Sequence, residues 1–295
     1  MTERYLLLGS TGMLGQAFHK LLTNLGHIVI TPKIDIADRK QVISVLEREY
    51  NAIINDRKYD AVINCAAYTK VDQAEMDEPD AYRVNVMGAM NLAFECMIAN
   101  VPLIHFSSDY VFSGNSKIPY RVDDKRDPCN AYGRTKNYGE DIVRQTMTDH
   151  LIIRTSWLYA SWGDNFVKTI LDKAQNNKEI KVVDDQFGSP SSAEKVAQIT
   201  YDLFKKDARG TFHVTSGVTS PATSWYDFAN QIIRLSKFDC LVTPCKTSDM
   251  QRYARRPRYS VLDISKTETY VGREICGWRD DLVQVINQIL YGEQR

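Results

Sequence analysis

Charge of one sign is missing from this sequence. Its 295 residues carry 37 Lys and Arg against 37 Asp and Glu, so no global field gathers nucleic acid or an anionic membrane, and any anion site must be local. Cysteine is sparse and unpatterned. Cys65, Cys96, Cys129, Cys240, Cys245 and Cys276 form no CxxC pair, which argues against a zinc site or disulfide framework and for reduced thiols. The five histidines are just as dispersed. Long hydrophobic runs are absent as well: Met1-Thr2-Glu3-Arg4 leads into only four apolar residues before Gly9, too few for a signal core or a membrane span. A cytoplasmic protein with no membrane or nucleic-acid partner is expected. What remains, 43% hydrophobic and 25% charged residues, excludes disorder and fibrous repeats and suffices for a large sheet domain with an appendage.

Short aliphatic runs alternate with segments of helical period, which predicts βα units and a mostly parallel, doubly wound Rossmann-type sheet. Strands are expected at Tyr5-Leu6-Leu7-Leu8, Ile28-Val29-Ile30, Ala61-Val62-Ile63, Leu103 to Phe106 and Leu151-Ile152-Ile153. The intervening helices are predicted from Met13 to Leu25, near Gln41 to Tyr50, from about Pro79 to Asn100, and from Tyr132 to Met147. After Tyr159 the alternation loosens. Helices around Asn165 to Asn176, up to Phe204, at Trp225 to Leu235 and near Leu282 to Leu290 accompany strands at Ile180 to Val183 and Phe212 to Val214. Residues 1–160 are therefore expected to form a dinucleotide-binding domain, rejoined by about 191–216, with 161–190 and 217–295 as a smaller α/β substrate-binding domain.

The first strand runs into Gly9-Ser10-Thr11-Gly12-Met13-Leu14-Gly15. A glycine-rich turn that opens a helix lets the backbone approach a pyrophosphate at the positive end of the helix dipole. Small residues, Ala66 and Ala67, follow the third strand and leave room for a flat ring or merely pack closely. Tyr132-Gly133-Arg134-Thr135-Lys136 puts a phenol and an ammonium at i and i+4 on one helix face. A nearby ammonium favours phenolate and would lower the Tyr132 pKa toward the range of a general acid. Ser107-Ser108-Asp109 ends a buried strand, and a hydroxyl there can hydrogen-bond a carbonyl oxygen. After the second strand stands Thr31-Pro32-Lys33, where NAD-selective domains usually carry an acidic ribose anchor. Lys33 either attracts a 2′-phosphate or points into solvent; Asp35 and Ile36 suit the loop beside adenine. NADPH is expected as cofactor, with NADH also accepted.

Glycine turn, hydroxyl and YxxxK, in that order, resemble the extended short-chain dehydrogenase/reductase superfamily. Within it the chain is similar to the dTDP-4-dehydrorhamnose reductase family. That similarity is carried by Asn64 to Asp72, Ser107-Ser108-Asp109-Tyr110-Val111-Phe112, Tyr132 to Lys136, Arg154-Thr155-Ser156-Trp157-Leu158-Tyr159, Asp185-Gln186-Phe187-Gly188-Ser189-Pro190 and Arg255-Arg256-Pro257, and it covers nearly the whole chain. It implies a nicotinamide hydride delivered to C4 of a keto sugar nucleotide, Tyr132 as proton donor, Ser108 on the same oxygen, and Lys136 tuning Tyr132 while holding the nicotinamide ribose. By the same resemblance Tyr68 lies at the cofactor, Asn85 supports the lysine, and Thr69, Tyr110 and Trp157 surround the deoxysugar. Gln186, Phe187, Gly188 and Pro190 with Arg255 and Arg256 would hold the nucleotide diphosphate, as guanidinium forks suit its oxygens; a solvated basic loop is the plainer possibility for the arginines.

Two departures matter. Ser108 stands where relatives commonly carry threonine, keeping the hydroxyl and losing the β-branch that fixes its rotamer. Tyr110 stands where sugar-nucleotide 4,6-dehydratases place an acid, so elimination lacks its catalyst. Ala17 and Gln288 align with two glutamates that gather Mg²⁺ in some relatives and leave only Glu194, too few oxygens for a hard cation; no metal and a monomer or weak homodimer are expected. Two rivals stay open: a reductase or epimerase of another nucleotide sugar, and a binding protein like the regulatory subunit of methionine adenosyltransferase, which resembles these reductases.

Overall fold

The computed structural model describes residues 2–47, 59–217 and 222–292. Strand β1 (Arg4–Leu8) leads into α1 (Met13–Asn24), followed by β2 (Ile28–Ile30), α2 (Arg39–Glu47) and β3 (Ala61–Asn64). The expected extension of α2 to Tyr50 lies outside the described residues. Next come α3 (Val71–Met76), α4 (Glu78–Tyr82), a π turn at Arg83–Met87, α5 (Gly88–Ile98), β4 (Leu103–Ser108), a 3-10 turn at Asp109–Val111, α6 (Ala131–Thr146) and β5 (His150–Thr155). Beyond these stand β6 (Leu158–Tyr159), α7 (Phe166–Asn176), β7 (Glu179–Val183), β8 (Phe187–Gly188), β9 (Ser191–Ser192), α8 (Ala193–Lys205) and β10 (Gly210–His213). The chain closes with β11 (Thr223–Ser224), α9 (Trp225–Ser236), β12 (Leu241–Cys245), α10 (Ser265–Val271) and α11 (Trp278–Tyr291).

Six strands form one parallel sheet in the order β10-β5-β4-β3-β1-β2. Because both of its faces are covered, its strands read as continuous apolar runs. Tyr5 and Leu7 face α1 and α8 across a core that includes Phe18, Leu22, Val196 and Leu203, while Leu6 and Leu8 face Val42, Leu92, Cys96 and Val143 of α2, α5 and α6. Sheet order turns back at β1, which pairs with β2 on one side and β3 on the other. In an open α/β sheet such a reversal leaves a crevice outside the carboxyl ends of the strands, where ligands bind. Register ends β1 level with β3, Leu8 pairing with Asn64, while β4 and β5 run three residues further, from His105 opposite Asn64 to Ser108 opposite Thr155.

A third core lies apart from the sheet, where Val167, Ile170, Phe228, Ile232, Leu282 and Val285 of α7, α9 and α11 enclose Ile180 and Val242 of the parallel pair β7–β12. Strand β12 was not expected from the sequence, since Pro244 within Leu241–Cys245 argues against a strand; an edge position in a two-stranded pair tolerates it. Helices α3 and α10 were also not expected, both being too short, at six and seven residues, to show a helical period.

The helix expected from about Pro79 to Asn100 runs without interruption from Glu78 to Ile98, with a π turn in its course. Asp77 caps α4 by accepting from the Asp80 N–H at 3.2 Å, and the π turn then widens the backbone before α5 begins. Single π turns inside helices are frequent at functional sites, and this one carries the buried Asn85.

Candidate active site

The turn after β1 is shaped by close backbone approach. Gly9 has φ +70°, and a Cβ on it would lie 2.5 Å from the Ala66 nitrogen; a Cβ on Gly15 would lie 2.1 Å from the Gly9 oxygen. These two glycines let the turn, β3's continuation and α1 pack together. Gly12 does something else. It precedes α1 with no side chain capping the first turn, so the N–H groups there stay open toward the crevice with the positive end of the helix dipole. A groove of about 650 Å³ runs over this turn past Lys33, Ile34, Asp35 and Ile36 to Val84. A second cavity, of about 720 Å³, takes in Met13, Leu14, Ser108, Tyr110, Tyr132, Lys136 and Trp157. Both are walled by Thr11, Gly12, Cys65, Ala66 and Ala67. Open amides at a helix N-terminus, midway along a continuous groove at the switch point, fit a dinucleotide with its pyrophosphate on Gly12. Asp35 in this groove is anchored: Arg83 Nη1 donates to its Oδ2 at 2.6 Å, and its Oδ1 accepts from the Ala37 N–H.

Asn85, on the π turn, clamps two elements. Its Oδ1 accepts from the Tyr68 N–H at 2.9 Å, and its Nδ2 donates to the Tyr68 carbonyl at 3.1 Å and to Thr135 Oγ1 at 3.0 Å. Its expected support of Lys136 is therefore indirect, through the neighbouring Thr135. The Lys136 ammonium itself donates to the Phe106 carbonyl at 2.5 Å. Burial pulls it down to about 8, with the Glu140 carboxylate working the other way. Glu140, one helical turn on, is held in turn by both arms of Arg154 at 2.8 Å; burial raises its pKa and that guanidinium more than reverses the rise.

Helix α6 is aimed by its N-cap, where Asn130 Oδ1 accepts from the Gly133 N–H at 2.7 Å. Gly133 admits the turn after β4, because a Cβ on it would sit 2.2 Å from the Tyr110 oxygen. That contact sets the Tyr110 and Tyr132 rings edge to face at 5.8 Å. The phenol differs from its sequence-based expectation. Burial holds the Tyr132 pKa above its ordinary value, the Ser108 hydroxyl lowers it, and Asp109 and Tyr110 raise it further. Lys136 is not among these influences, since its ammonium is turned to the Phe106 carbonyl. Ser108 donates to Asp109 Oδ1 at 2.9 Å and accepts from the Tyr110 N–H at 3.2 Å.

Thr69, Tyr110 and Trp157 line the same cavity as Ser108, Tyr132 and Lys136. Trp157 takes a left-handed backbone (φ +46°), and its indole stacks on Trp225 with ring centroids 3.4 Å apart. Gly188 has no room for a side chain because a Cβ would lie 2.4 Å from that indole. Gln186, Phe187, Pro190 and Arg255 are not brought to the cavity wall. Gln186 Nε2 donates to Thr247 Oγ1 at 3.0 Å, and Phe187 bonds through its backbone to Arg258 and Ser260. The exposed Arg255 offers its carbonyl to Asn130 Nδ2. Arg256 is likewise not on the cavity wall; it is bonded to Asp72 Oδ2 at 2.6 Å, and its charge favours the ionised form of the Tyr110 phenol. Trp225 was missed by the sequence analysis, which saw only the start of a helix; the serine and aspartate of its capping box, Ser224 and Asp227, were the available signal. Glu194 pairs with Lys20 at 3.1 Å. Among the described residues no group of three or more His, Cys, Asp or Glu is gathered to hold a metal ion, and no helix is long and apolar enough to cross a membrane.

Comparison with known proteins adds the family. Residues 3–291 match the model of the RmlD substrate binding domain. A dTDP-4-keto-6-deoxy-D-glucose reductase of Streptomyces niveus is 37% identical over 89% of this chain and 89% of its own length. A dTDP-4-dehydrorhamnose reductase of Aggregatibacter actinomycetemcomitans is 33% identical over 96% of this chain and 98% of its own. The crystal structure of the Bacillus anthracis dTDP-4-dehydrorhamnose reductase in complex with NADP superposes with a TM-score of 0.90 at 32% identity, covering 98% of this chain and 100% of that one. The chain belongs to the RmlD substrate binding domain family, on a Rossmann-type sheet whose switch-point crevice leads to a serine, a tyrosine and a lysine in one cavity.

Proposed function

We propose that this protein is an NADPH-dependent reductase of dTDP-4-dehydro-L-rhamnose, forming dTDP-L-rhamnose, with NADH accepted less well. The observation that carries this conclusion is the meeting of Ser108, Tyr132 and Lys136 in the cavity that continues the groove over Gly12. When bound, the reduced nicotinamide supplies the hydride. The chain's residues do the rest. The open amides of α1 take the pyrophosphate, Lys136 presents an ammonium on the cavity wall, and Tyr132 yields a proton to the alkoxide oxygen as it forms. Trp157, braced by Trp225, presents an apolar face to the deoxysugar. We propose a matching division of labour, with residues 1–160 and 191–216 serving the cofactor and 161–190 with 217–295 the nucleotide sugar.

The relative from Streptomyces niveus, named for a different 4-keto sugar, favours one rival substrate, dTDP-4-keto-6-deoxy-D-glucose. Side-by-side kcat/KM values for the two keto sugars decide between them. The proposal expects the rhamnose precursor to be preferred at least about tenfold, the size that one mismatched pocket contact produces. Preference for the other sugar overturns it, and NADPH binding without turnover of either returns the protein to the binding-protein class.

A further inference from the structure

The Ser108 hydroxyl has one hydrogen and two lone pairs. It donates to Asp109 Oδ1 at 2.9 Å and accepts from the Tyr110 N–H at 3.2 Å, while Asp109 Oδ2 is buried without a hydrogen-bond partner. While Asp109 is ionised it can only accept. The Ser108 hydrogen then points at the carboxylate and is not offered to the cavity that both residues line with Tyr132. A protonated Asp109 reverses the bond: its O–H fills the second Ser108 lone pair, and the Ser108 hydrogen becomes free to face a carbonyl oxygen beside Tyr132.

We propose that Asp109 is a positioning residue, whose protonated form turns the Ser108 hydroxyl into a donor toward the substrate carbonyl and whose ionised form turns it away. This rests on the reductase function proposed above and goes beyond it by making the direction of one hydrogen bond the controlled variable. Asp109 is 2% exposed. Burial pushes its carboxyl up to about 6, with the Ser260 and Ser108 hydroxyls holding it partly down. The groups facing it are Tyr110 from its own turn, Tyr132 from α6 and Ser260 from the segment after Pro257. The cations nearest it are engaged elsewhere, Lys136 by the Phe106 carbonyl and Arg256 by Asp72.

The test is kcat/KM against pH for wild type, Asp109→Asn and Ser260→Ala, with the carboxylic-acid C=O stretch followed by infrared titration. Wild type is expected to lose activity about tenfold per pH unit above an alkaline limb, and to lose the acid band over the same range. Asp109→Asn, whose amide donates to Ser108 without titrating, should lack both limb and band. Ser260→Ala removes a hydroxyl that favours the carboxylate and should move the limb and the band to higher pH. A limb unchanged in either variant overturns the proposal. If Asp109→Asn does not fold or turn over, the Ser260→Ala shift decides alone. A wild type inactive on the keto sugar at every pH refutes the reductase function instead; the infrared shift in Ser260→Ala still decides whether Asp109 titrates as proposed.

Discussion

Tyr132 and Lys136 could be placed from the sequence because four residues of helix always bring two side chains to one face. What that spacing could not give is the direction in which each polar head points. The ammonium chose the Phe106 carbonyl, so the phenol is governed by burial and Ser108. Removing its hydroxyl tests the assignment: Tyr132→Phe is expected to lower kcat at least about 10²-fold, the usual contribution of a positioned general acid. NADPH affinity, measured by fluorescence, should be nearly unchanged. A mutant that keeps more than about a tenth of wild-type kcat contradicts the role. Lys33, on the wall of the adenosine-side groove, is exposed, and a pair of exposed charges shifts affinity by about fivefold at most. Lys33→Glu should therefore reduce kcat/KM for NADPH severalfold more than for NADH, and equal changes would mean that Lys33 does not meet the phosphate. Arg83 and Trp225 were not legible as site residues, because Arg83 gains its place only through the ion pair with Asp35 and Trp225 only through its stack on Trp157.

Elements were legible where period and length agreed. Strands β1 and β3 to β5 of the sheet announce themselves as buried aliphatic runs, and α1, α6 and α9 by their apolar faces. The π turn between α4 and α5 left no such mark, since it changes the backbone without changing the apolar content of the helix. Its cause is tertiary: Asn85 must reach Tyr68 and Thr135, and α6 approaches so closely that a Cβ on Gly139 would lie 2.5 Å from the Asn85 oxygen. Gly133 is the sharper case, because its contact with the Tyr110 carbonyl fixes the distance between α6 and the turn carrying Ser108. Gly133→Ala is expected to cost about 1–3 kcal/mol by overpacking, read as a lower urea midpoint. It should also lower kcat by at least about tenfold, since misplacing reacting groups by an ångström can cost about 10². A variant with the stability loss and full kcat would show that this spacing does not control the chemistry.

Over the whole molecule the buried titratable groups set how stability follows pH. Burial lowers His105 and His213 to about 3, whereas an unfolded histidine titrates near 6.5. The stability they contribute is present above about 6.5 and lost as pH falls toward 3. Asp109 acts in the opposite sense. Raised to about 6, it contributes stability below the unfolded value of about 3.9 that is lost as pH rises through 6. Between pH 4.5 and 6 the unfolded chain thus binds two protons at these histidines and the folded chain one at Asp109, a net of one. These three sites together lower stability on acidification, and Asp109→Asn should steepen the fall by about 1.4 kcal/mol per pH unit. Urea unfolding at pH 6.0, 5.25 and 4.5 measures both slopes, and a wild type more stable at pH 4.5 than at 6.0 would reverse the sign. The purpose of the cavity that Asp109 lines is best judged by its reaction. The most direct measurement is NADPH oxidation by the purified protein, followed at 340 nm, with enzymatically generated dTDP-4-dehydro-L-rhamnose. One NADPH consumed per dTDP-L-rhamnose formed is the expected result; a protein that binds NADPH and leaves the keto sugar unreduced would contradict it.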